Sequence, residues 1–252
     1  MDASERGRYE RDGFVVLRGL FARHALRTFE DRFVELASGT RSAPSGMVVM
    51  RDVMVARGIV EPASRVHGVN KILGLENDAE LFAYALDSDL LCAVRALIGP
   101  EVMTISTNVF NKPPGIDGRH PLHQDLRDFG LRPPENIVGT WTAISACTRE
   151  NGCLAVVPGS HRGGLLRHGV PDWEHVNAGF FAAEGVDGTD RVHVEMDPGD
   201  TLLFHPLLVH GSGRNTTDGF RRAISTHYAS TACERPAGRS ARAPVVRHIP
   251  SA

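Results

Sequence analysis

Two segments of the chain hold side chains whose chemistry is that of metal ligands. One is Arg119-His120-Pro121-Leu122-His123-Gln124-Asp125, and the other is Leu207-Leu208-Val209-His210-Gly211-Ser212-Gly213. If residues 122–126 are extended, the two-residue period of a strand sends His123 and Asp125 to one face, about 6 to 7 Å apart. Gln124, between them, then points the other way and should not bind metal. With His210 from a distant strand they make two imidazoles and one carboxylate, the facial set that holds non-haem Fe(II) and leaves positions open for a co-substrate and oxygen. An isolated His-x-Asp is weak evidence, because such residues are commonly polar groups satisfied by hydrogen bonds. Only the fold can bring His210 to the other two.

The elements that must do so are mostly strands. Phe14-Val15-Val16-Leu17 is a short β-rich run closed by Gly19. Ala25, Leu26, Phe29, Phe33, Leu36 and Ala37 recur at three and four, which predicts an amphipathic helix over 22–37 that ends near Gly39 and packs on a sheet. Residues 39–46 read as a loop, 47–50 as a strand, and 56–70, without a clean period, as a long loop over the active face. Helix spacing returns over 78–98, with Gly99-Pro100 as the stop and Asp87-Ser88 as a point of division. Both helices precede the β-rich part and should flank it.

From there the period changes. Strands are predicted at 102–110, 122–126, 136–146, 152–159, 191–196, 201–204 and 222–228. Residues 160–188 read as loop, with at most a short helix near 173–178. Many short strands without βαβ alternation indicate an all-β core with flanking helices, a double-stranded β-helix or cupin-like jelly roll. No repeat or linker divides the 252 residues, so one domain over 1–252 is expected.

Composition narrows the class. Lys plus Arg number 28 against 30 Asp plus Glu, a net charge of -2 with no basic stripe, so neither nucleic acid nor a membrane surface is an expected partner. Twelve histidines favour a metal site without locating it. Cys92, Cys147, Cys153 and Cys233 form no CxxC pair, which suggests neither a zinc knuckle nor a disulfide scaffold, and a reducing compartment is the plain reading. The first residues show no secretory signal and no apolar run reaches membrane-spanning length, so a soluble cytoplasmic protein is expected.

Several segments together carry a family resemblance: Met50-Arg51-Asp52-Val53, Asn111-Lys112-Pro113-Pro114, residues 120–126, Asn151-Gly152-Cys153-Leu154, residues 204–213 and Phe220-Arg221. Over residues 46–230 the chain resembles the phytanoyl-CoA dioxygenase family of Fe(II)- and 2-oxoglutarate-dependent oxygenases. The resemblance implies His123, Asp125 and His210 as iron ligands, with 2-oxoglutarate and O2 as co-substrates. Arg221 is implied as the guanidinium that clamps the far carboxylate of 2-oxoglutarate, a pairing suited to its planar fork. From the residues alone, Arg221 could equally be a surface charge beside Arg222. Lys71, Trp141 and Ser212 match positions that line the family's co-substrate pocket. Asn108 stands where the family's acyl-CoA hydroxylase has a methionine, so the pocket is altered there.

The carboxylate at Asp125 points to hydroxylation, since halogenating relatives replace it with a small residue, although desaturation, epoxidation and rearrangement use the same triad. The resemblance implies hydroxylation of an aliphatic carbon, the 2-position of a branched acyl-CoA; a monomer or weak homo-oligomer is the expected state. Alternatives are an oxidative tailoring enzyme of bacterial secondary metabolism acting on a small molecule without CoA, and a metal-binding, non-redox cupin-like protein. Among the other histidines, His205 reads as structural and His120 as a loop residue or a support for the ligands. His161 and His168 match family histidines near the active-site mouth, and the resemblance leaves support or substrate contact and a merely structural role equally open.

Overall fold

The chain enters its fold through a helix that its polar composition hides. The Asp2 side chain accepts from the Glu5 N–H while the Glu5 side chain accepts from the Asp2 N–H, a capping box that opens α1 (Ala3–Asp12). Gly13, at φ 83°, closes it in the left-handed region. Only Tyr9 of α1 is buried, so no apolar stripe marks it in the sequence. The computed structural model describes residues 1–236 and 247–250.

After β1 (Phe14–Leu17), α2 (Arg23–Ser38) follows the predicted period and stops at Gly39. The strand expected at 47–50 is β2 (Val48–Arg51). The loop expected over 56–70 contains more order than its sequence suggests. A helical turn α3 (Val53–Ala56) precedes it, a 3-10 turn (Val66–Gly68) falls within it, and β3 (Val69–Leu73) begins before it ends. The helical stretch divides where anticipated. The Asp87 side chain accepts from the N–H groups of Asp89 and Leu90, ending the segment of α4 (Ala79–Phe82) with its 3-10 extension and starting α5 (Ser88–Ile98).

The remaining strands are β4 (Val102–Lys112), β5 (His120–His123), β6 (Ile137–Ala143), β7 (Leu154–Val156), β8 (His168–Gly169), β9 (Ala182–Ala183) and β10 (Val192–Val194). They continue with β11 (Thr201–Phe204), β12 (His210–Ser212), β13 (Arg221–Ser230) and β14 (Arg247–Ile249). No helix forms at 173–178, where a short one was allowed for; the β8–β9 ribbon flanks an irregular segment instead. β14 lies beyond the last strand expected.

An eight-stranded sheet runs β1-β11-β6-β13-β4-β3-β2 with β14 added beside β4, and a four-stranded sheet runs β10-β7-β12-β5. Trp141, Ala143, Leu202, Phe204 and Ala223 of the large sheet pack against Leu154, Val156 and Val194 of the small one, so the inner faces of the two sheets share a core. The opposite face of the large sheet, through Val109, Val138, Leu203, Ile224 and Tyr228, packs on Phe29, Phe33 and Leu36 of α2 and on Leu90 and Val94 of α5. This is the jelly roll with outer helices. Among the described residues no helix is long and apolar enough to cross a membrane.

Candidate active site

Strand register decides which side chains face the interior. On β13, Ala223 belongs to the core between the sheets and Ile224 to the helix-packed face, so Arg221, Ser225 and His227 share the inner side with Ala223. Ser225 pairs with Asn108 on one flank and with Trp141 on the other, which places both on the same face. Phe110, one row along, pairs with Lys71 of β3. Four of the five residues proposed to line the co-substrate pocket therefore lie on the inner face of the large sheet. The fifth, Ser212, follows His210 by two on β12 and shares its side.

The small sheet brings the two histidines together. His210 pairs directly with His123 across β12 and β5, and their rings lie 4.3 Å apart. Asp125 arrives differently from the expectation. β5 ends at His123, Gln124 stays extended, and Asp125 opens a 3-10 turn (Asp125–Arg127) instead of continuing the strand. The turn is held from both sides. The Leu126 N–H donates to Pro206 O at 2.9 Å, while the Gln124 amide donates to Leu207 O and Gly164 O and accepts from the Leu166 N–H. Gln124 does point away from the cluster and binds backbone.

His123, Asp125 and His210 converge with one ligand atom each, all within 4.8 Å of one another. The Nδ1 atoms of His123 and His210 lie 2.9 and 3.0 Å from the carbonyls of Pro121 and Leu208. A carbonyl can only accept, so each Nδ1 carries a proton, and Nε2 is the atom that each ring turns toward Asp125. This donor set suits a borderline divalent cation such as Fe(II). Burial alone would raise the Asp125 pKa, but His210, His227 and His123 hold it well below the usual carboxylate range. Burial takes His210 to about 4, against the opposing charge of Asp125. For His123, burial is outweighed by the hydrogen bond and charge of Asp125, and its pKa is raised.

Arg221 is 2% exposed and has no carboxylate within ion-pair distance among the described residues. Its Nη2 donates to Gly152 O at 3.1 Å, its Nε has no partner, and its guanidinium lies 5.3 Å from the Trp141 ring centre. Across the strand pair stands Lys112, a like charge whose ammonium donates to Gly118 O and Gly213 O. Lys71 is a third inner cation, 5.2 Å from the Phe180 ring centre; burial lowers its pKa against the pull of Asp128 and Asp125. Buried cations without an acid are costly, so this side of the interior suits an anionic ligand. The Asn108 amide donates to Ser106 Oγ at 3.1 Å.

The other histidines separate. His120 lies on β5, its ring tilted against those of His123 and Phe180 at 4.0 and 3.9 Å between centres, and burial holds its pKa well below the usual value. His168 Nε2 accepts the Gln124 N–H, supporting the ligand turn. His205 Nδ1 accepts the Leu207 N–H, and its ring lies beside His161, whose Nε2 meets Glu10 O. Sequence reasoning missed His227, whose Nε2 lies 2.7 Å from Asp125 Oδ2. Its position after Arg221 on the same strand parity was the available signal.

The sequence pattern of the phytanoyl-CoA dioxygenase family matches residues 9–223. The chain is 42% identical over 235 residues to the peroxisomal phytanoyl-CoA dioxygenase of Mus musculus, covering 91% of this chain and 69% of that protein. It is 41% identical over 238 residues to a probable phytanoyl-CoA dioxygenase of Caenorhabditis elegans, covering 91% and 76%. Among solved structures, EvdO2 from Micromonospora carbonacea var. aurantiaca superposes with a TM-score of 0.71 at 21% identity, covering 95% of each chain. The epimerase SnoN, solved with Fe3+, alpha ketoglutarate and nogalamycin RO, superposes with a TM-score of 0.70 at 20% identity, covering 94% and 87%. At those identities the two structures establish the shared fold.

Proposed function

The chain belongs to the phytanoyl-CoA dioxygenase family and is a 2-oxoglutarate-dependent non-haem iron dioxygenase, and from that premise we propose that it hydroxylates the 2-position of a branched acyl-CoA. His123, Asp125 and His210 would hold Fe(II). When bound, iron and 2-oxoglutarate together use O2 to convert a substrate C–H to C–OH, with release of succinate and CO2. The observation that carries the co-substrate assignment is Arg221, a buried guanidinium with an unpartnered Nε and no carboxylate beside it.

The protein's own part is to bind and orient. Arg221 pairs its fork with the distal carboxylate of 2-oxoglutarate, and the Trp141 ring limits how that group can tilt. Lys71 adds positive potential from the neighbouring row. The Nδ1–H bonds of His123 and His210 to backbone carbonyls fix both rings so that Nε2 is the atom each would offer to the metal. Phe180, packed against His120, forms an apolar wall beside the cluster. Phe180 also lines a cleft of about 320 Å³ together with Val170, Trp173, Val176 and Phe181, which suits a branched alkyl chain. Through Glu174 this cleft meets another of about 370 Å³, where Arg119 and Arg214 both pair with Asp117, a charged mouth that suits the polar part of a thioester substrate.

The test is succinate formation by the iron-loaded protein with straight and branched acyl-CoAs, their free acids and smaller polar substrates. Stimulation by a branched acyl-CoA, with a product one oxygen heavier at C2, is expected. If only slow background turnover occurs with every acyl-CoA, the co-substrate assignment stands and the substrate is a small molecule without CoA. Asp125→Ala should reduce turnover to background; full activity in that variant sinks the ligand assignment. Anaerobic Fe(II) plus 2-oxoglutarate should give a visible charge-transfer band, whereas tight zinc binding without that band indicates a non-redox metal protein.

A further inference from the structure

We propose that His227 is a positioning residue that holds Asp125 as a one-oxygen ligand, an inference that rests on His123, Asp125 and His210 being the iron ligands. Asp125 opens a 3-10 turn, so no strand register sets the direction of its carboxylate. Something else must. Asp125 Oδ2 lies 2.7 Å from His227 Nε2, while Oδ1 lies 3.1 Å from His123 Nε2. A carboxylate only accepts, so His227 Nε2 carries the proton and Nδ1 is the lone-pair atom. Nδ1 is buried without a partner among the described residues, which leaves the ring no other polar tie than Asp125.

The ring itself is held by a rigid frame. His227 sits within β13, paired with β4 on one side and β6 on the other. Phe129 packs at 4.9 Å between ring centres, and Phe204 meets the ring edge to face at 5.6 Å. An N–H fixed on Oδ2 engages that oxygen, which lies 3.7 Å from His210 Nε2, and leaves Oδ1 turned toward His123. Ligation through one oxygen keeps a coordination position free that a two-oxygen carboxylate would fill. His227 also shares the inner face of β13 with Arg221, so one strand orients both the ligand carboxylate and the co-substrate clamp.

Two variants separate this role from packing. His227→Phe keeps a ring and loses the N–H, whereas His227→Gln loses the ring and keeps a donor. Anaerobic Fe(II) binding to the metal-free proteins is measured by calorimetry, with wild type and Asp125→Ala as references. Fe(II) affinity should fall about 10- to 100-fold in His227→Phe, while His227→Gln stays much closer to wild type. Wild-type affinity in His227→Phe, or an equal loss in both variants, overturns the proposal. If Asp125→Ala binds Fe(II) as tightly as wild type, the ligand reading itself fails and this inference falls with it. Thermal unfolding of each metal-free protein identifies variants that fail to fold, and His227→Leu replaces His227→Phe in that case.

Discussion

Arg221 and Arg222 are adjacent in sequence, both buried, and opposite in circumstance. Arg222 faces the helices. Its Nη1 pairs with Glu30 of α2, its Nε donates to Asn111 Oδ1 at 3.1 Å, and its guanidinium lies 4.6 Å from the Phe220 ring centre. Arg221 faces the interior with one carbonyl acceptor, one aromatic ring and no acid. The outer cation is closed by the protein's own carboxylate, whereas the inner one has none among the described residues. Two faces of one sheet thus treat a buried cation differently, and the proposed co-substrate site rests on that difference.

The sharpest way to break this contrast is to remove each cation in turn. Arg221→Leu should cost about 2–5 kcal/mol of 2-oxoglutarate binding, at least about 30-fold in KM. The metal-free protein should not lose thermal stability, because an unpaired buried charge gives way to an apolar side chain. Loss of stability with an unchanged KM would reverse the assignment.

Next in size is Gly139→Ala. Gly139 pairs with His227, and a Cβ there would sit 2.4 Å from the Phe204 ring, which in turn packs at 4.9 Å from His210. Overpacking should cost roughly 1–3 kcal/mol in urea unfolding and should also weaken Fe(II) binding, because the displaced ring supports a ligand. A stability loss with intact metal affinity would mean the inner face repacks without disturbing the site.

Arg222→Leu is the outer counterpart. Leaving Asn111 Oδ1 without this donor and Glu30 without its partner should lower stability by about 1–2 kcal/mol, with the 2-oxoglutarate KM unchanged. Any marked rise in KM would join the two faces functionally.

The smallest effect is a pH dependence set outside the cluster. Burial, with the nearby charge of His161, lowers His205 to about 4 from its ordinary 6.5. As pH falls from 6.5 toward 4, the unfolded chain takes up this proton before the folded one does, so stability declines across that window and levels below it. His205→Asn, which keeps an acceptor for the Leu207 N–H, should flatten that decline in thermal midpoints of the metal-free protein. An unchanged slope would assign the acid sensitivity to other groups.

Much of the fold is legible because its signals are local. The stripe through Phe29, Phe33 and Leu36 specifies α2, Asp87 divides the helical stretch by capping, and β-branched runs mark the long strands. Helix α1 escapes because it buries one residue, and its capping box is visible only to a reader looking for it. The expectation that His123 and Asp125 share a strand named residues that do converge, but by a backbone that does not form. The turn beginning at Asp125 is fixed by Pro206 and by the Gln124 contacts to Gly164, Leu166 and Leu207, none of them adjacent in sequence.

By itself the sequence determined the candidate chemistry: which imidazoles and carboxylate could ligate, and which motifs they sit in. Tertiary structure alone decided orientation and partnership. Along β13 the register shifts between His227 and Tyr228, so that His227 faces Ser106 while Tyr228 faces Thr104. Against β6 the register of β13 runs unbroken, and its alternation sends His227 to Asp125 and Tyr228 to the helix-packed core. Side-chain direction in a sheet depends on which strands pair and where they slip, and those partners lie far apart in the chain.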